Sequence, residues 1–387
     1  MVYPMKKCSR SKWLSIFFVC LLGGISLWNL MTPDREFSES ENRYLKTFPK
    51  VTVKALFSGN FLENFDTYTT DQFPMRDSWV TVKTLSQLAL LKQDNGRVYF
   101  GSDNRLYGVP DPANPLQEEE NCRAVASFLS AIRKECPGAG LSVMLVPTAS
   151  TILPDGLPAF APVADEAALL ERMNAALQDT DNIRFIDPTA ALMAAKDAHN
   201  LYYRTDHHWT IWGAYAAYQE WAAQMGITPQ PMEDYQVKTV ADDFAGTLFS
   251  KAGLSWYPKD TIEAFLPVGE DACTISTDGG KTWKNGLYNE DALSTRDKYT
   301  YFLYGNYPVT EIRTQADGGK TLLVVKDSYA HSFVPFLTGH YERILMVDPR
   351  YFKEDIRKWT LQQHVDDILV LYNAATFAAD TQLSAVL

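Results

Sequence analysis

Apolar residues follow three rhythms along this chain. The first is unbroken: WLSIFFVCLLGGISLWNLM, Trp13 to Met31, runs 19 residues without a charge. A helix of that length reaches roughly 28 Å, close to the hydrocarbon thickness of a bilayer. The second rhythm has helical spacing. In FLENFDTYTTDQFPMRDSWVTVKTLSQLALL, apolar and aromatic positions recur three and four apart, and Pro74 interrupts them. That predicts two helices, the second over about Met75 to Leu91. RVYFGSDNRLYGV then reads as a hairpin, two short β-prone runs around Ser102-Asp103-Asn104.

The third rhythm alternates helices with strands that are apolar throughout. An amphipathic stretch, Leu116 to Glu135, places Val125, Leu129 and Ile132 on one face and leads into the buried-strand signal LSVMLVP. ADEAALLERMNAALQD reads as helix, NIRFID as strand and NLYYRT as a further short strand. Thr210 is placed to cap a helix over about Ile211 to Met225. Residues 228–318, rich in turns and strand fragments such as YTYFLYG, read as an irregular β-rich insertion. The alternation resumes with KTLLVVK, RILMVD, a helix near Glu354 to Gln363, and DDILVLY. This pattern predicts an α/β fold, a mostly parallel sheet with helices on both faces.

The flanks of the apolar run bear on location. Lys6, Lys7, Arg10 and Lys12 precede it without an acid, whereas DREFSESE follows it. The positive-inside rule therefore places residues 1–12 in the cytoplasm, 13–31 as a single-pass transmembrane anchor in the cell membrane, and the main domain on the extracytoplasmic side. A cleaved signal peptide is the rival reading. Against it, the run exceeds a usual signal core, no A-x-A site follows, and Val19 precedes Cys20 where lipidation wants a small residue. Residues 32–55 read as a linker, 56–115 as a helical and hairpin subdomain, and 116–387 as the catalytic-type domain carrying the insertion.

Setting aside those four basic residues, the whole-chain charge of −11 becomes −15 for the remainder. So acidic a domain argues against nucleic acid as a partner. Cys122 and Cys136 flank one predicted helix, roughly 21 Å apart if it is continuous, too far to bridge. A pair involving Cys273 stays open, and no C-x-x-C is present.

In α/β sheets, functional groups collect where strands end. Two such ends carry chemistry, TDHHWT (205–210) and KDSYAHS (326–332). Ser328 sits at a strand-to-helix junction, where it or Asp327 can cap the helix or present a nucleophile beside helix-start N–H groups. A serine hydroxyl needs a base, and a histidine works best with a carboxylate fixing its tautomer. On an extended segment Asp206 and His208 project to the same side, which aligns them as orienter and base. His207 would point away in a supporting role, and Trp209 would pack beside the site. Asp206, His207, His208 and His331 are all plausible metal ligands, but adjacent histidines on a strand face opposite ways, so no metal site is expected. No cofactor is implied. Tyr329, through its backbone N–H, together with Asn373 and Lys326, are further candidates for an oxyanion or substrate group. Arg76 and Asp77 read as a buried polar anchor.

ENRYLKTFP, SGNFLENFDTYTTDQFPMRD, TDHHWT and KDSYAHSFVPFL, taken together, resemble the DHHW family of bacterial envelope proteins. That family is similar to the SGNH-type domains of alginate O-acetylation proteins. The resemblance spans roughly residues 36–373. It implies an SGNH-hydrolase-like fold with Asp206, His208 and Ser328 as orienter, base and nucleophile of a catalytic triad. One departure is Lys326-Asp327-Ser328 where the relatives have Gly-Asp-Ser. The resemblance further implies O-acetyl transfer, or ester hydrolysis, on a cell-envelope polysaccharide. It also implies a multi-pass membrane acyltransferase as acyl-supplying partner. A non-catalytic glycan-binding or assembly protein of the same fold is the alternative, and metal-dependent phosphoester cleavage a third.

Overall fold

The computed structural model describes residues 8–38, 43–269 and 272–387, so the first basic residues of the proposed cytoplasmic tail, Lys6 and Lys7, lie outside the described residues. The chain forms two compact units, Met1–Leu91 and Lys92–Leu387.

In the smaller unit the helix Cys8–Met31 contains the apolar stretch Lys12–Met31, long and apolar enough to cross a membrane by length and composition. Three helices follow, Val53–Phe57, Asn60–Asp71 and Arg76–Ala89. Pro74 cannot supply a helical N–H, so the last two separate around it. Of the expected polar anchor, Arg76 is buried and its Nε donates to the Thr70 carbonyl at 3.1 Å. Asp77 is half-buried, its Oδ2 3.2 Å from Arg35 Nη1. A second buried pair does comparable work: Asp71 accepts from the Lys46 N–H at 2.9 Å, and the Gln72 amide donates to the Arg35 and Lys46 carbonyls.

The larger unit is built on an eight-stranded sheet. Its spatial order is Lys284–Asn285, Thr274–Ser276, Val309–Arg313, Arg343–Val347, Thr321–Lys326, Asp367–Asn373, Gly140–Val146 and Ile183–Ile186. The last five are parallel; the first three run antiparallel to their neighbours. The sheet is therefore mixed, and three short strands from 228–318 extend it. Strands of two or three residues carry no readable period, which is why the sequence pattern treats them as irregular. YTYFLYG is one turn of 3-10 helix, Lys298–Tyr301, followed by left-handed Leu303 and Tyr304. The same region also forms a long antiparallel ribbon, Tyr235–Phe244 with Asp260–Pro267, and a short helix, Thr247–Ala252.

Successive residues of a strand face opposite sides, and here both sides are covered. Leu322, Val324, Leu369 and Leu371 pack with Trp221 and Tyr218 of the helix Ile211–Met225. Leu323, Val325, Ile368 and Val370 pack with Val125, Leu129 and Ile132 of the helix Pro115–Glu135. Burying each such side chain contributes about 1.5–3 kcal/mol, so the parallel strands form a rigid base with all their C-terminal ends at one edge. The hairpin Val98–Phe100 and Leu106–Gly108, read from sequence with residues 56–115, groups with this unit. Its Arg105 donates to the Tyr202 and Tyr203 carbonyls at 3.0 Å. Cys122 and Cys136 are free thiols.

Candidate active site

Residues 201–210 form a tight loop rather than a strand. A single antiparallel bridge pairs Tyr202 with Trp209, and the Thr210 N–H donates to the Leu201 carbonyl at 2.8 Å. Thr210 then caps the helix Ile211–Met225, its hydroxyl accepting from the Trp212 N–H at 3.2 Å. Asp260, on the ribbon, accepts from the Arg204 and Thr205 N–H groups and from the Thr205 hydroxyl, at 2.9, 2.7 and 2.6 Å. The loop is thus pinned from below before any reactive group is considered.

Within it, Asp206 and His208 meet through a bend rather than an extended segment. Asp206 Oδ1 accepts from the His208 backbone N–H at 2.9 Å, an Asx turn, and lies 2.5 Å from His208 Nδ1. Asp206 Oδ2 accepts from the Thr247 N–H at 2.6 Å. Burial disfavours the charged form of this carboxyl, but His207, His208 and the two N–H donors outweigh it and hold Asp206 well below the usual carboxylate range. An ionised Asp206 only accepts, so the proton of a neutral His208 sits on Nδ1 and leaves Nε2 as acceptor. That Nε2 is 2.7 Å from Ser328 Oγ. The two motifs, 120 residues apart in sequence, therefore join in one hydrogen-bonded line from carboxylate to hydroxyl.

Ser328 occupies the turn between the strand Thr321–Lys326 and the short helix Ala330–Phe333. Buried Asp327 ties this turn down, accepting from the Tyr329 N–H at 2.9 Å and the Asn373 N–H at 3.0 Å. Neither Asp327 nor Ser328 caps the helix Ala330–Phe333, which has no side-chain cap; Asp327 instead holds the turn before it, and the serine hydroxyl is left to His208. The same bond consumes the Tyr329 N–H expected as an oxyanion donor. The Tyr329 ring is buried, and its hydroxyl donates to the His207 carbonyl. Among the described residues the Ser328 N–H itself has no partner.

Other candidates depart from expectation. Asn373 caps the helix Ala374–Ala379 through Oδ1 and donates from Nδ2 to the Val146 carbonyl at 3.1 Å, so its amide is largely structural. Lys326 is 1% exposed and turns away from solvent, 2.8 Å from His331 Nε2, 3.1 Å from Asn306 Oδ1 and 3.3 Å from Asp348 Oδ2. Burial pushes this ammonium down to about 8, with Asp348 opposing the shift. It is part of a buried polar cluster that Asp348 shares with Arg350, not an anion receptor at the surface. Trp209 packs as expected, buried, donating to the Tyr329 carbonyl at 3.0 Å and stacked on Phe333. His207 does not point away: its ring lies 3.8 Å from that of His208, and Nδ1 is 2.7 Å from the Thr247 hydroxyl. Because the loop bends, ligand atoms of Asp206, His207 and His208 come within 4.8 Å of one another, so the strand-geometry objection to a metal does not hold. Yet both His208 nitrogens are already directed, one at Asp206 and the other at Ser328.

Two further residues were not legible in the sequence. Gly246 lies so close to Asp206 that an added Cβ would sit 2.3 Å from both Asp206 Cβ and Oδ2. Tyr299 stacks on the His208 ring, centroids 3.8 Å apart at 13°, while its hydroxyl approaches the Ser328 carbonyl at 3.4 Å and Ser332 Oγ at 3.3 Å. Both come from residues 228–318. Beside the triad-like line opens a cavity of about 530 Å³, walled in part by Tyr107, Thr148, His207, Lys251 and Arg350.

The fold is an SGNH hydrolase-like α/β fold, and on its sheet a serine at a strand end is joined to a loop histidine and carboxylate. Residues 98–279 match the family model described as the SGNH hydrolase-like domain of the acetyltransferase AlgX; the matched stretch holds Asp206, His208 and Gly246 but ends before Ser328. The chain is similar to a protein of Pseudomonas syringae pv. tomato named as a probable alginate O-acetylase AlgJ, 27% identical over 279 residues, 71% of this chain and 67% of that protein. Among solved structures it superposes on a DHHW family protein from Eubacterium siraeum, with a TM-score of 0.63 and 22% identity, covering 76% of this chain and 95% of the other. It also superposes on PatB1 from Bacillus cereus, with a TM-score of 0.61 and 20% identity, covering 74% and 98%. These two likenesses establish the shared fold, and the resemblance to DHHW and alginate O-acetylation proteins stands on motif, family model and relative together.

Proposed function

We propose that this chain is a membrane-anchored, extracytoplasmic O-acetyltransferase, or an esterase of the same mechanism, acting on a cell-envelope polysaccharide through an acyl-serine. The carrying observation is the continuous line Asp206–His208–Ser328, with links of 2.5 and 2.7 Å. Similarity to the probable alginate O-acetylase supports acetyl transfer as the chemistry.

In the first half-reaction His208 Nε2 takes the Ser328 hydroxyl proton as Oγ bonds to the acyl carbon. The tetrahedral oxyanion forms beside the Ser328 N–H, and collapse expels the leaving group, which takes the proton back from His208. Asp206 compensates the imidazolium charge while it lasts. In the second half-reaction a sugar hydroxyl gives its proton to His208 and attacks the acyl-serine, releasing the acetylated sugar and restoring Ser328. Water in place of the sugar gives the esterase. The cavity beside His207 is the place for the acceptor glycan. Activated acyl donors are made in the cytoplasm, so a multi-pass membrane acyltransferase would supply the acetyl group, and an anchor over 13–31 would hold the domain beside it.

The test is turnover of a soluble activated acetyl ester by the purified chain, with and without envelope glycan. Acetate release that falls by about 10³-fold or more in a folded Ser328→Ala variant is expected. Glycan acetylation at the expense of acetate marks the transferase. A folded chain that turns over no acetyl ester, yet binds glycan, would instead identify the non-catalytic binding module. The close approach of Asp206, His207 and His208 favours examining a metal directly: chelator should leave turnover unchanged, and loss of turnover restored by a divalent ion would replace this mechanism.

A further inference from the structure

We propose that the stretch Tyr44–Gly59 seats the smaller unit on an anionic phospholipid surface. The chain is acidic overall, yet from Tyr44 to Asn60 it holds Lys46, Lys50 and Lys54 and no acid; the next is Glu63. All three lysines are exposed. Between them stand apolar side chains that water does not reward: Phe57 is 90% exposed, Tyr44 81%, and Phe48, Val51, Val53 and Leu56 are also exposed. Basic residues interleaved with exposed aromatic and aliphatic ones are the composition of a segment lying in a headgroup layer, where the lysines meet phosphate and the apolar groups enter the acyl boundary.

The frame of the unit supports the same placement. Ile25, Ser26 and Asn29, in the last turns of the apolar helix, line one cavity with Thr69, Phe73 and Trp79. The end of that helix therefore borders the same cavity as residues of the helices Asn60–Asp71 and Arg76–Ala89. The basic stretch is fixed to those helices. The Lys46 N–H and carbonyl bond Asp71 and Gln72, and the Phe48 ring packs edge-on to Phe65 at 6.1 Å and Tyr68 at 5.4 Å. If the apolar helix crosses a bilayer, as in the proposal above, its end and the basic stretch are held in one body beside the same surface. The inference rests on that anchor reading but not on the acyl-serine chemistry. Each lysine near an anionic surface favours the seated state by about fivefold, so three favour it on the order of a hundredfold.

The test uses the full chain in vesicles, with a photo-crosslinking benzophenone side chain placed in turn at Phe57, at Leu27 in the apolar helix, and at exposed Lys281 of the larger unit. Lipid adducts at 57 should approach those at 27 and exceed those at 281 by about tenfold or more in vesicles containing phosphatidylglycerol. They should fall several-fold in phosphatidylcholine alone, or when Lys46, Lys50 and Lys54 are all changed to Gln. Adducts at 27 with none above the 281 level at 57 overturn the seat and leave the anchor. Adducts at neither 27 nor 57 overturn both. Equal adducts at 57 in neutral and anionic vesicles overturn the recognition of anionic lipid.

Discussion

Replacing Gly246 by alanine adds one methyl group against the carboxylate that orients the proposed base. Gly246 has φ −78° and ψ −168°, ordinary extended backbone, so alanine meets no conformational penalty there and the contact alone is tested. The new Cβ would lie 2.3 Å from Asp206 Cβ and Oδ2 and 2.6 Å from Cγ. Carbon atoms pack at about 3.5–4.0 Å, so Asp206 and the Gly246 backbone must separate by about 1 Å or more. Asp206 Cβ is itself in the clash, so rotating the carboxyl gives no escape. The 2.6 Å bond from the Thr247 N–H lengthens, and the movement passes to His208 through its 2.5 Å link. Overpacking of this kind costs about 1–3 kcal/mol of stability, and misplacing a catalytic group by about 1 Å costs on the order of 10²-fold in rate. The assay is kcat/KM for a soluble acetyl ester, paired with a thermal melt. A loss near 10²-fold, carried in kcat, is expected while the domain still melts cooperatively. Gly138→Ala, where the added Cβ meets nothing within 4 Å, is the matched control. A folded Gly246→Ala chain with activity within about threefold of wild type would refute the argument that Asp206 is held by close approach of this glycine.

Three further outcomes follow from the same geometry. Tyr299→Leu removes the ring stacked on His208, so kcat should fall about tenfold with KM little changed, consistent with an aromatic pair worth about 0.5–1.5 kcal/mol; Tyr299→Phe should restore most of it, and a KM effect alone would mean a different role. Asp206 titrates below its unfolded value, so its contribution to stability is present above about pH 4 and lost as pH falls through the folded value. The difference in melting temperature between wild type and Asp206→Asn should therefore shrink on acidification, and a difference growing toward acid would contradict the ionised pair. Lys326 is depressed to about 8, so between about pH 8 and its unfolded value near 10.4 the unfolded chain binds more protons and this contribution to stability rises with pH. Denaturant titrations should show wild type gaining on Lys326→Met by up to about 3 kcal/mol across that window, and a flat difference would mean the ammonium is not buried as described.

The parts legible in the sequence are those that long, regular patterns encode. The parallel strands are buried on both faces and read as apolar runs, so Gly140–Val146, Thr321–Lys326 and Asp367–Asn373 stand out. Rules about strand ends then lead to Ser328 and to the Asp206–His208 loop. Strand alternation predicts the pairing of Asp206 with His208 on the wrong geometry: an Asx turn brings them together, and the same bend folds His207 back beside His208. Lys326, Tyr329 and Asn373 were placed near the serine by sequence position, but their polar groups are absorbed by neighbours that sequence does not display: Asp348 and His331, Asp327, and Val146. Gly246 and Tyr299 make contacts 40 and 91 residues away from Asp206 and His208, and both stand outside any strand, where no period marks them. Nothing local separates that glycine from any other turn glycine.

The most direct measurement of the central claim is the site of acyl attachment. The purified chain, incubated briefly with an activated acetyl ester, quenched in acid and mapped by peptide mass spectrometry, should carry acetyl on Ser328. The adduct should be absent from Ser328→Ala and greatly slowed in His208→Ala. Acetyl found only on surface lysines, or an adduct on Ser328 that forms equally fast without His208, would contradict the account.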